Sequence, residues 1–187
     1  MNKAVFLDRD GTIIEDVGYL NTPDAIKFLP GSLEAIKQLK EAGYKVVVIT
    51  NQAGVARGLV TEDMLQTIDK VMHRIILNSG THLDGIYYCP HHPEHGHYPY
   101  RQACECRKPH PGLIKKAQRD LDIDLAQSFM VGDKTSDVKA GKTAGVKTVF
   151  VESGPHLEDR AQLSQNPPDH VAKDLHAAVE WILNGTH

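Results

Sequence analysis

Asp8-Arg9-Asp10-Gly11-Thr12 sets two carboxylates two residues apart, directly after the apolar run Ala4-Val5-Phe6-Leu7. In an extended chain, side chains two apart share a side, so Asp8 and Asp10 are expected to face one site while Arg9 faces away. Gly11 then lets the backbone turn. Two carboxylates held close repel each other unless a cation sits between them, and hard oxygen donors of this kind suit magnesium, which binds substrate phosphate while keeping waters. Taken alone, the string fits an ordinary Asp-Gly turn after a strand equally well.

Three later segments bear on that choice. Thr50-Asn51-Gln52, at the end of a second apolar run, offers a hydroxyl and backbone N–H groups to phosphate oxygens. Gly132-Asp133-Lys134-Thr135-Ser136-Asp137 places two acids four apart at the opening of a helix, with Asp133 able to complete a magnesium site and Asp137 to support it. Lys108, in Arg107-Lys108-Pro109, supplies a cation for both a nucleophilic carboxylate and a phosphoryl group; a solvated surface lysine is the plain alternative.

A different chemistry occupies the stretch between these segments. Cys89-Pro90-His91, twelve residues, and then Cys104-Glu105-Cys106 offer three sulfurs and one nitrogen, a set suited to a closed tetrahedral zinc site. Buried free cysteines beside a solvated histidine are the other reading. With no vacant ligand position, such a zinc is structural, and Lys108 lies only two residues past the last ligand. Zinc and chemistry are therefore expected to be coupled. His92, His95 and His97 are spare in the same loop, and the spacing alone lets His92 replace His91.

The elements that must position these residues follow from hydrophobic patterning. Ala4 to Leu7, Lys45 to Thr50, Phe129 to Gly132 and Thr148 to Val151 read as buried parallel strands, with a fifth at Gly85 to Cys89. Helical period runs through Leu33, Ile36 and Leu39, and again through Leu65, Ile68, Val71, Met72, Ile75 and Ile76. The first of these helices stops near Gly43, and the second starts at Thr61. The stretch from Ser153 to Asp169 reads as loose, leading to a terminal helix around Asp174 to Leu183 that docks through Leu175, Val179 and Ile182. Alternation of this kind predicts an α/β fold: a doubly wound, Rossmann-like, mostly parallel sheet with helices on both faces and sites at the carboxyl ends of strands. No large insertion separates Asp10 from Thr50 or follows Asn51, so no large cap domain is expected. One domain over residues 1–187 is expected, with a zinc-loop insertion at about 89–107.

With 187 residues, 41% of them apolar, the chain is long enough to bury a full core. Its formal net charge of −3 gives no broad basic surface for nucleic acid, and no run of eighteen apolar residues predicts a membrane span. A cytoplasmic, monomeric enzyme is expected, in which the sequon Asn184-Gly185-Thr186 carries no meaning. A zinc-stabilised binding module is the non-enzymatic alternative, but it gives no reason for the placement of Asp8, Asp10, Asp133 and Asp137.

In this order, each at a strand end or helix start, the segments resemble the four motifs of the haloacid dehalogenase superfamily, phosphatase branch. The resemblance implies that Asp8 is the nucleophile that forms an aspartyl-phosphate and that Asp10 is the general acid and base. Thr50 and Lys108 are then expected to hold phosphoryl oxygens. Magnesium is assigned to the Asp8 side chain, the Asp10 carbonyl and Asp133, and structural zinc to Cys89, His91, Cys104 and Cys106. Within the superfamily, the zinc loop and Arg107-Lys108-Pro109-His110-Pro111-Gly112 resemble two families, one acting on a heptose bisphosphate and one on histidinol phosphate. Asp16-Val17-Gly18-Tyr19, Thr50 to Gly58 and Cys89-Pro90-His91-His92-Pro93 look closer to the first. That family takes part in nucleotide-activated heptose biosynthesis for lipopolysaccharide core or related glycans. The likeness implies a small-molecule sugar bisphosphate bound by Asp16, Val17, Gly18, Tyr19, Thr50, Asn51, Gln52, Ala53, Arg107, Lys108 and Lys134, with Arg107 selecting the sugar phosphate. Arg57 is a further candidate, with a plain surface cation as its alternative.

Overall fold

Strands covered on both sides by helices lose the in–out alternation of half-exposed sheets. All four residues of β1 (Ala4–Leu7) and of β4 (Phe129–Gly132) are buried, as are the five central residues of β2 (Lys45–Asn51). In the computed structural model, which describes residues 1–185, these strands join β3 (Gly85–Cys89), β5 (Lys147–Val151) and β6 (His170–Ala172). All pairings are parallel, in the order β3-β2-β1-β4-β5-β6. Thr186 of the sequon lies outside the described residues.

The pleat divides the core in two. Val5, Leu7, Val46 and Val48 meet α1 (Ser32–Glu41), α2 (Glu62–Asn78) and α6 (Leu175–Asn184) through Ile36, Leu39, Ile68, Met72, Val179 and Ile182. Ala4, Phe6, Val47 and Ile49 meet α3 (Gly112–Leu121) and α4 (Thr135–Ala144) through Leu113, Ile114, Ala117 and Ala140. Helices thus cover both faces, as expected. The predicted stop at Gly43 and start at Thr61 also hold. Gly43 adopts φ 81°, and the Gly43 and Tyr44 N–H groups donate to the Lys40 and Leu39 carbonyls, both at 3.0 Å, closing a Schellman motif. Thr61 Oγ1 accepts from Met64 N at 3.1 Å and caps α2.

From β1 the chain winds outward through β2 to β3, then returns to lay β4 on the other side of β1. The crevice between β1 and β4 is the topological switch point, where open α/β sheets bind ligands. Between β1 and α1 the described residues hold one three-residue 3-10 turn, Pro23–Ala25, and no cap domain. The stretch read as loose after β5 contains α5 (Leu157–Gln162) and is followed by β6, which the hydrophobic pattern did not reveal. Only Ala172 of β6 is buried, so three residues with one inward side chain leave no legible pattern. No described helix is long and apolar enough to cross a membrane.

Candidate active site

Asp8 leaves the end of β1 with its N–H donating to Val131 O of β4 at 2.9 Å, which fixes it at the switch point. Its carboxylate is buried and ion-paired to Lys108 Nζ at 2.9 Å, while Lys108 also meets Asp137 Oδ1 at 2.6 Å and donates to Ile49 O at 2.7 Å. Burial alone raises the Asp8 carboxyl, but Lys108 and Lys134 outweigh it and hold Asp8 below the usual carboxylate range. Burial likewise works against the Lys108 charge, and Asp137 and Asp8 overcome it. Asp8 is thus an ionised nucleophile candidate, and Lys108, 3% exposed, is its fixed counter-ion.

Asp133 begins the segment after β4 and differs from its neighbours: both carboxylate oxygens are buried with no hydrogen-bond partner. Burial and the charges of Asp8 and Asp137 push its carboxyl up to about 9. Oxygens of Asp8, Asp133 and Asp137 lie within 4.8 Å of one another. A Cβ at Gly11 or Gly154 would overlap an Asp133 oxygen, so glycine at both positions admits this buried carboxylate. An orphaned acid in an all-oxygen cluster fits a hard divalent cation such as magnesium. Asp137 stands behind the cluster, where its other oxygen accepts from Lys134 N at 3.0 Å at the start of α4.

Arg9 does not face away from the site. Its guanidinium is buried and reaches back along the chain, with Nε donating to Asp10 Oδ2 at 3.1 Å and Nη2 to Asp10 Oδ1 at 3.2 Å. Strand alternation fixes where Cβ points, but the long arginine side chain carries the guanidinium back. Gln52 Nε2 donates to Asp10 Oδ2 at 2.9 Å and to Thr50 Oγ1 at 2.8 Å, joining Thr50 to the same network. Asn51 clamps the backbone of Lys108 from both sides, donating to its carbonyl and accepting from its N–H, each at 3.0 Å.

A cleft of about 390 Å³ opens beside these groups, lined by nine residues expected to contact substrate: Asp16, Gly18, Tyr19, Asn51, Gln52, Ala53, Arg107, Lys108 and Lys134. Of the others, Thr50 is buried beneath Gln52, and Val17 is exposed outside the lining. Asp10, Gly54, Ser136 and His156 complete the wall. His156 was not evident from sequence, because it sits in the stretch read as loose; its place just beyond β5 was the available signal. Its Nε2 lies 2.9 Å from Asp16 Oδ2, which also meets Lys134 Nζ at 3.2 Å. Arg57 reaches the cleft only indirectly, 5.9 Å above the Tyr19 ring, and lines a second hollow with His95 and His97.

The insertion gathers Cys89, His91, Cys104 and Cys106. The sulfurs lie 3.1, 3.2 and 3.5 Å apart, and His91 Nδ1 is 3.4 Å from Cys106 and 3.7 Å from Cys89. These spacings exceed a disulfide bond of about 2.05 Å and approach the roughly 3.8 Å between sulfurs that share a tetrahedral zinc. The Cys89 thiol, with burial opposing it, draws Cys106 down to about 5, while Cys106 and burial push the Cys89 thiol up and burial pushes that of Cys104 up. His92 stays outside: its Nδ1 accepts from the Glu94 and His95 N–H groups, both at 3.1 Å. Arg107 Nη1 donates to the His91 carbonyl at 3.1 Å, and Gly112 N donates to Glu105 O at 2.9 Å, so the insertion grips both flanks of Lys108.

Residues 105–178 match the HAD-hydrolase-like family model, the class of protein that this sheet and its carboxylate site define. A heptose-1,7-bisphosphate 7-phosphatase of Pasteurella multocida is 50% identical over 85% of this chain and 87% of its own length. Its Salmonella typhi counterpart is 43% identical over 97% and 89%. The chain therefore belongs to the D-glycero-beta-D-manno-heptose-1,7-bisphosphate 7-phosphatase family. A crystal structure of D,D-heptose 1,7-bisphosphate phosphatase from B. bronchiseptica, complexed with magnesium and phosphate, superposes with a TM-score of 0.84 at 38% identity, covering 97% of this chain and 98% of that one.

Proposed function

We propose that this chain is a magnesium-dependent phosphatase that removes the 7-phosphate of D-glycero-D-manno-heptose 1,7-bisphosphate through an aspartyl-phosphate on Asp8. One observation carries the reading: a buried carboxylate at the switch point is paired with a lysine that also lines a cleft with two further cations, Arg107 and Lys134. Three cations suit a substrate with two phosphates, and the Arg107 guanidinium is able to bind one of them bidentately.

Asp8 attacks phosphorus in line, and the bond to the C7 oxygen breaks as Asp10 gives that oxygen a proton. Asp10 then takes a proton from water, which attacks the phosphorus of the acyl phosphate and returns Asp8 and inorganic phosphate. Lys108 and Thr50 hold the transferring oxygens. Asp8, the Asp10 carbonyl and Asp133 would hold magnesium, which when bound offsets the negative charge gathered there. Asp16, Gly18, Tyr19, Asn51, Gln52, Ala53 and Lys134 contact the sugar bisphosphate, and Arg107 selects it. Cys89, His91, Cys104 and Cys106 hold structural zinc. The site residues converge on one sheet, which supports a single-domain enzyme, and its proposed state is a monomer. Cysteines gathered for a metal rather than a disulfide support a cytoplasmic setting.

Phosphate release from the α and β heptose bisphosphates, their monophosphates and histidinol phosphate, with magnesium present, tests this reading. The expected result is a kcat/KM for a heptose bisphosphate at least about tenfold above that for the monophosphates. Preference for histidinol phosphate would overturn it. The relatives' names carry the β anomer, which is the first to assay.

A further inference from the structure

α2 turns Leu65, Ile68, Met72 and Ile76 into the core, and within that apolar stripe sits an acid, Asp69, only 8% exposed. A buried carboxylate in a helix face is costly unless it is paired. Asp69 Oδ1 meets Arg9 Nη1 at 3.3 Å. Arg9 in turn presents Nε and Nη2 to the two oxygens of Asp10, and Nη2 also donates to Gln52 Oε1 at 2.9 Å. A guanidinium is a rigid planar fork, so partners on one edge fix the direction of the other.

We propose that Asp69 is a positioning residue for phosphoryl transfer: acting through Arg9, it fixes where the Asp10 carboxylate points. Asp69 touches neither substrate nor reacting atoms. It shares a cation that would otherwise be left to Asp10 and Gln52, and it anchors the acid–base group to α2 rather than to the turn at Gly11 alone. Proton delivery depends on sub-ångström placement, so the anchor acts on the cleavage step. The inference rests on the assignment of Asp10 as the acid, and its test separates the two.

kcat/KM reports events up to cleavage of the P–O bond, and cleavage needs an acid when the leaving group is a sugar alkoxide but hardly when it is p-nitrophenolate. Asp69→Asn is expected to lower kcat/KM for the heptose bisphosphate about ten- to a hundredfold, while that for p-nitrophenyl phosphate changes less than about threefold. KM for the sugar stays near that of the wild type, and Asp69→Glu, which keeps the charge, recovers part of the loss. Should Asp69→Asn not fold, Arg9→Lys, which keeps a cation but loses the fork, is expected to show the same leaving-group dependence. Equal losses on both substrates, or no loss, overturn the inference. Asp10→Asn serves as the reference. If it shows the leaving-group dependence and the folded variant of the anchor does not, the positioning role alone fails. If Asp10→Asn lacks the dependence, the acid assignment fails and takes the inference with it.

Discussion

Two cation-seeking clusters lie on either side of Lys108, and they are built in opposite ways. The carboxylate cluster draws Asp8 from the end of β1, Asp133 from the end of β4 and Asp137 from α4, so its oxygens meet only once the sheet has formed. The sulfur cluster draws four ligands from positions 89 to 106, most of them on a single loop. The first leaves Asp133 without a protein partner and stands beside an open cleft, which suits a cation that must share its shell with substrate. The second offers four soft donors, which suits a cation that stays. Donor type and openness thus separate a reacting metal from a holding one, although both clusters use negative groups crowded into little space.

The largest expected effect breaks the comparison on the carboxylate side alone. Asp8→Asn is expected to cut kcat by at least about a thousandfold while the zinc content and the circular dichroism spectrum stay those of the wild type. Next is metal exchange: dialysis into magnesium-free buffer should lower activity by more than about a hundredfold, reversibly, with zinc retained in the same sample by elemental analysis. Loss of zinc on that treatment would erase the distinction between the two sites. Cys106→Ser acts from the other side. It is expected to cost about 3 kcal/mol of stability, roughly 6–12 °C in melting temperature at this size, and about tenfold in kcat/KM as Arg107 and Lys108 lose their support.

The smallest effect belongs to a region remote from both clusters. Burial raises the Asp84 carboxyl, but Lys40, the Val46 N–H and Lys45 outweigh it and hold the group below its ordinary 3.8. A depressed folded pKa contributes stability that is fully present above the unfolded value and is lost as pH falls from about 3.8 through the folded value. Asp84→Asn should remove that part of the acid dependence, under about 1 kcal/mol after solvent screening, in urea melts at pH 3 and 6. Activity at neutral pH should not move.

The two clusters also differ in how much of them the sequence discloses. The zinc loop is legible from local spacing, which leaves only His91 or His92 open; the family resemblance favours His91, and the His92 ring turns back to accept from its own loop. The oxygen site is legible once its motifs are placed on the fold: the strands Ala4–Leu7, Phe129–Gly132 and Gly85–Cys89 read correctly from buried apolar runs and their parallel pairing from the α/β alternation, while the strand order needed coordinates. What stayed hidden depends on side-chain reach and on short elements. Arg9 swings back onto Asp10, Asp69 interrupts an otherwise apolar helix face, and His156 reaches the cleft from a stretch with no period. Periodicity reports burial and Cβ direction; it carries no information on where a long polar side chain finds its partner.

The central claim is a covalent bond from Asp8 to phosphorus, and trapping that bond tests it most directly. Asp10→Asn, which is expected to be slowed in hydrolysing the intermediate, is mixed with magnesium and p-nitrophenyl phosphate, whose leaving group hardly needs an acid, quenched in acid within a turnover, and mapped by peptide mass spectrometry beside the wild type. Phosphate is expected on Asp8, in greater amount in the variant. Phosphate on a different side chain, or wild-type turnover with none on Asp8 while Asp8→Asn keeps its full rate, would contradict it.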